Sequence, residues 1–186
     1  MPFGSLWLPV VVSTIAVFVL SSLAHMLLKH HNRDYRGLSN EDAVAAALRK
    51  GGPAPGVYFI PYCPDHSQMK DPAVQKKFAD GPVAIVTIVR SGAPRMAKHL
   101  AQWLLLCFFI SFTAAYVARH TLSYGTAGLE VMRVTGAVAL VGYAFGYLQD
   151  SIWKGIPWAN SLRGIADSLV YALATGLVFR LLWPGA

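Results

Sequence analysis

The chain has 186 residues, of which 55% are hydrophobic and only 13% charged, with a formal charge of +7. That charged share is about half of what soluble domains carry, and the apolar residues are gathered into long runs, so the composition argues against a water-soluble globular protein and for lipid as the solvent. The expected class is an all-α membrane protein: a four-transmembrane-helix bundle with a small α+β cytoplasmic insert between helices 1 and 2, leaving no chain for a second large domain.

The first apolar run is Leu6 to Leu28, long enough to cross roughly 30 Å of hydrocarbon at about 1.5 Å per residue. A cleavable signal peptide is the rival, with Ser22-Leu23-Ala24 as its cleavage site. No Lys or Arg precedes Lys29 and the apolar stretch is too long, so the spanning helix is preferred. Residues 1–28 are therefore assigned to the first transmembrane helix, 29–98 to the insert and 99–186 to helices 2–4.

Within the insert, Ser39 and Asp42 form a weak capping box ahead of a short helix over Ala43 to Leu48. Gly51, Gly52, Pro53, Pro55 and Gly56 break the chain. Val57 to Ile60 has strand character, and Asp71-Pro72 opens a second short helix that ends at Gly81. Val83 to Val89 is apolar and β-branched, a second strand. So small an α+β unit is marginal alone and is expected to dock on something.

The remaining runs are Leu100 to Ala118, about Ala127 to Leu148, and about Ile165 to Trp183. Trp7, Trp103, Trp153, Trp158 and Trp183 fall at or near run ends, as an interfacial aromatic belt would place them. Eleven of the sixteen basic residues lie between the first and second runs, against six acidic ones. The excess of positive charge puts residues 29–98 on the cytoplasmic side and both termini outside, as a multi-pass protein of a plasma (inner) membrane. The same basic balance has a topological cause, so no nucleic-acid partner is expected.

Three groups of residues are candidates for function or packing. Cys63 and His66 form a Cys-x-x-His pair able to ligate soft or borderline metals, but two ligands fall short of the four a structural zinc site uses. His25, His99, Asp150 and Asp167 fall at the cytoplasmic ends of the four helices, where His beside Asp can relay protons or hold a metal. The alternative for this whole group is solvation at the boundary, with Arg163 pairing with Asp167 at a spacing of four. Gly142 and Gly146 make a Gly-x-x-x-Gly motif, Ala172 and Gly176 repeat the spacing, and Ala114 and Ala118 do so again, as close-packed membrane helices require.

No phosphate loop, nucleophile elbow, His-Glu-x-x-His, Rossmann glycine pattern or haem-attachment motif occurs. No cofactor is expected, and an enzyme is less expected than a small structural or accessory subunit of a membrane complex. Its expected partners are the bilayer and another membrane protein met through residues 29–98. A small oligomeric transporter or channel is the alternative, and a metal-handling or intramembrane enzyme the third reading.

Overall fold

The computed structural model describes residues 3–185, apart from the side chains of Phe3 and His66. Two compact units emerge: one runs to Arg36 and resumes at Arg95, the other is Gly37–Pro94.

The first unit is a bundle of long helices. A 3-10 turn (Phe3–Leu6) leads into α1 (Trp7–Leu23), which widens into a π turn over Ala24–Leu28. The others are α4 (Met96–Thr121), α5 (Gly128–Lys154) and α6 (Trp158–Leu182). Four helical stretches are long and apolar enough to cross a membrane: Gly4–Leu28, Met96–Thr121, Gly128–Lys154 and Trp158–Leu182.

Burial within the bundle differs from a soluble protein's in that bulky apolar side chains face outward as well as inward, while small hydroxyl residues are buried. Leu8, Ile15, Leu105, Phe109, Leu173 and Leu177 point outward, whereas Ser13, Thr135, Ser168 and Thr175 are buried. Those four hydroxyls donate to carbonyls one turn back in their own helices, at 2.7 Å to Pro9, 2.8 Å to Val131, 2.7 Å to Gly164 and 2.9 Å to Tyr171. Small self-satisfied residues let helix backbones approach, and the bulky apolar ones are left for lipid. Two layers of side chains fill the centre. Leu6, Val10, Ala115, Ala118, Val131, Phe179 and Trp183 form one; Val17, Cys107, Ile110, Ala139, Tyr143, Tyr171 and Ala172 form the other.

The closest helix approach lies between α5 and α6. A Cβ added to Gly176 would meet the Met132 carbonyl oxygen at 2.8 Å and the Gly136 Cα at 3.4 Å. Ala172 is buried beside it and its carbonyl faces Gly136. Gly142 instead faces Ile110 of α4, and nothing lies within 4 Å of a Cβ built at Gly146. The crossing therefore uses Gly136, which the Gly-x-x-x-Gly pattern does not single out. Ala114 and Ala118 are both fully buried.

Two sequence expectations shift. Helix α6 begins at Trp158 rather than near Ile165, because its polar first turns find partners: Ser161 Oγ donates to the Tyr147 carbonyl at 2.9 Å and Arg163 bonds Asp34. Among the tryptophans, Trp7, Trp153 and Trp158 are exposed, but Trp183 is buried and donates to the Ser123 carbonyl at 3.2 Å. Trp103 donates to Ser21 Oγ of α1 at 2.8 Å and packs against Tyr143 and Tyr171. These two bind helices together because a buried indole N–H needs an acceptor.

The second unit holds α2 (Glu41–Gly51), β1 (Gly56–Ile60), α3 (Pro72–Asp80) and β2 (Ala84–Ile88). The strands pair antiparallel, with Val57 opposite Thr87 and Phe59 opposite Ile85. Asp71 caps α3, its Oδ1 accepting from the Ala73 amide at 2.8 Å, and Gly81 ends it at φ 63°. The capping box expected at Ser39 is not what starts α2. Asn40 is the N-cap, and its backbone carbonyl, not a side chain, accepts from the Ala43 and Val44 amides.

Candidate functional site

The site is assembled where α1 ends. The π turn stops at Lys29, which adopts φ 49°, the left-handed conformation that costs a side chain energy. That reversal starts a 3-10 turn over His30–Arg33. Residues 29–36 thus belong with the helices, although sequence alone groups them with the insert.

Four carboxylate-to-base links follow. Asp167, on the third turn of α6, accepts from His30 Nε2 at 3.0 Å on Oδ1 and from His31 Nε2 at 2.9 Å on Oδ2. His31 Nδ1 bonds Oδ2 of Asp34, three residues on. Asp34 Oδ1 accepts from Arg163 Nε at 2.7 Å, and its backbone carbonyl accepts from Asn160 Nδ2 at 3.1 Å. The chain of contacts runs Arg163, Asp34, His31, Asp167, His30, each carboxylate set between two nitrogen bases.

With a carboxylate at each ring nitrogen, His31 can donate twice only as an imidazolium. Burial alone would push its pKa down, but hydrogen bonds and charge from Asp34 and Asp167 outweigh that and raise it. Burial would raise Asp34, yet its bonds to His31 and Arg163 hold it below the usual carboxylate range. Both carboxylates have only 14% of their side-chain surface exposed.

His25 completes the group from the π turn that follows α1. Its Nδ1 donates to the Ser21 carbonyl at 2.9 Å, so Nε2 is the ring nitrogen left to face a ligand. Its ring stacks on that of His31 at 4.8 Å between centroids. One ligand atom from each of His25, His31 and Asp167 lies within 4.8 Å of the other two. The Nδ1 of His30 is buried without a hydrogen-bond partner among the described residues.

Of the four residues grouped from sequence, the structure brings His25 and Asp167 together. His99 is exposed near the start of α4 and is not a member of the group, and Asp150 pairs instead with Lys154 at 2.6 Å. Arg163 does not pair with Asp167, as its spacing of four suggested, because Asp34 draws it away. Asp34, His30 and His31 are the members that sequence reasoning did not assemble. The signal was present in His31 and Asp34 at a spacing of three, directly after a spanning run. Cys63 Sγ donates to the Asp65 carbonyl at 3.2 Å, and the His66 side chain, its expected partner, lies outside the described residues.

The Gly37–Pro94 unit offers a different kind of site. None of its described residues is buried. Val57 is 71% exposed, and Tyr58, Phe59 and Ile60 are exposed as well, so both faces of the two-stranded sheet present apolar side chains. Comparison with protein-family models, with curated proteins and with solved structures gave no match.

Proposed function

We propose that this chain is a small structural or accessory subunit of a membrane complex, which holds its Gly37–Pro94 unit at the membrane surface for a protein partner. The observation that carries this reading is the absence of any buried side chain among the described residues of that unit. A fold of two strands and two short helices without a core gains little stability by itself. Its exposed Val57 and Phe59 are suited to burial against another surface.

Charge favours a protein over lipid headgroups as that surface. Residues 37–94 hold six basic and five acidic side chains, a net of one positive charge. The basic excess of the connection lies instead in its flanks, Lys29, Arg33, Arg36, Arg95 and Lys98. Those flanks adjoin the spanning helices, where positive charge governs orientation. They support a plasma (inner) membrane location with the 37–94 unit in the cytoplasm and both termini outside.

The test is gentle solubilisation of the tagged chain from its own membrane, beside Val57→Glu and Phe59→Glu variants. A partner recovered at stoichiometric yield with the wild type and lost with either variant is the expected result. A pure homo-oligomer with no such partner would overturn the accessory reading and favour transport between copies, since side chains fill the centre of the single bundle.

A further inference from the structure

We propose that His25, His31 and Asp167 form a binding site for one borderline divalent cation, Zn2+ in the first instance. The three residues come from the π turn that follows α1, from the 3-10 turn after it and from α6, and they offer ligand atoms within 4.8 Å of one another. Two imidazoles and one carboxylate are a donor set that suits zinc. Three protein ligands leave the fourth tetrahedral position for water or an exchangeable group.

The surroundings of each ligand support this more than the ligands themselves. Metal-binding histidines donate the second ring N–H to a carboxylate or a backbone carbonyl, which fixes the tautomer and aims the other nitrogen. Both arrangements are present. His25 Nδ1 donates to the Ser21 carbonyl, and His31 Nδ1 bonds Asp34, itself held by Arg163. Nε2 is therefore the ligand atom of each ring. On Asp167, His30 Nε2 sits 3.0 Å from Oδ1 and 3.2 Å from Oδ2 and so steadies the carboxylate, while Oδ2 also faces His31 at 2.9 Å and is the oxygen placed to ligate. An ion pair alone accounts for Asp34, His31 and Asp167; His25, stacked on His31 at 4.8 Å with Nδ1 turned to the Ser21 carbonyl, adds the third donor that a metal requires.

Binding exchanges one ion for one proton. The Nε2 proton that His31 shares with Asp167 leaves as the cation takes its place between them. Ligands about 2.0–2.1 Å from tetrahedral zinc lie about 3.3 Å from one another. The gap that remains is closed by the side chain of His25, the exposed member of the three.

Co2+ and Zn2+ titration of the full-length, chelator-treated protein in detergent tests the site. Co2+ reports a tetrahedral environment by its visible absorption. The expected result is one equivalent per chain, displaced by Zn2+. His25→Ala should weaken binding at least tenfold with only a small loss of thermal stability, because among the described residues His25 is an exposed ring that gives up one stack and one hydrogen bond to its own helix while the Arg163–Asp34–His31–Asp167 links stay in place. Asp34→Asn should weaken it about 10- to 100-fold, while His99→Ala and Cys63→Ser leave it unchanged. No saturable binding, or binding that survives His25→Ala and vanishes in Cys63→Ser, would overturn the proposal.

Discussion

Arg163 donates to Asp34 at 2.7 Å across 129 residues of sequence, and in doing so fastens the turn after the first helix to the start of the last. The same carboxylate holds His31, whose other nitrogen holds Asp167. Two charges removed from water are costly unless each is paired, so loss of one partner is felt by the others. The partial exposure of these side chains, 27% for Arg163 and 14% for Asp34, moderates the effect. Arg163→Ala should destabilise the detergent-solubilised protein by about 1–3 kcal/mol. Lys154→Ala, which breaks an i,i+4 pair exposed by 61% and 42%, should cost about 0–1 kcal/mol. Thermal unfolding of the two variants side by side checks the order, and equal losses would show that the Asp34 contact is no clasp.

Gly176 should tolerate no side chain. A Cβ there would press on backbone, the Met132 carbonyl oxygen, which cannot rotate aside as a flexible side chain does. Gly176→Leu should lower stability by about 1–3 kcal/mol or more through separation of α5 from α6. Gly146→Leu should change stability by less than about 0.5 kcal/mol, since a Cβ at Gly146 has nothing within 4 Å. The measurement is again unfolding in detergent, and a reversed order would mean that the crossing is formed elsewhere.

The four long helices were legible because lipid demands roughly 20 consecutive apolar residues, a constraint that tertiary contacts do not relax. Their ends were less so. Asn160, Arg163 and Asp167 look like boundary residues by composition, yet they continue α6 because Asp34, His30 and His31 satisfy them. No periodicity announces that arrangement, since it depends on Lys29 reversing the chain. The Gly-x-x-x-Gly spacing marks residues able to pack closely but not which helix they meet: Gly142 faces α4 and the α5–α6 crossing falls to Gly136 and Gly176. In the insert, Asp71-Pro72 announced its helix correctly because both residues act locally.

Orientation rests on the basic flanks, and Cys63 offers a handle for it. Cys63 is a free, partly exposed cysteine, and the other, Cys107, is buried in the bundle. A membrane-impermeant maleimide should leave Cys63 unlabelled in intact cells and label it in inverted vesicles. Labelling from the outside would reverse the topology and return the first helix to consideration as a cleaved leader.

The coreless insert should reveal itself in hydrogen exchange. Backbone amides are protected to the extent that their opening is costly, and opening costs little where few apolar contacts are lost. The amides of β1 and β2 are paired with each other, from Gly56 opposite Ile88 to Ile60 opposite Ala84, yet no described side chain around them is buried. In the purified chain they should exchange far faster than the amides of α5 and α6 around Thr135, Ala139 and Thr175, which lie at the packed centre. A protein partner of the kind proposed should slow β1 and β2 while the helices stay as they were, because it would supply the apolar cover that Val57 and Phe59 lack. Strand amides already as protected as the helices in the isolated protein would show that the insert is stable alone, and would remove the physical reason for expecting a protein on its surface.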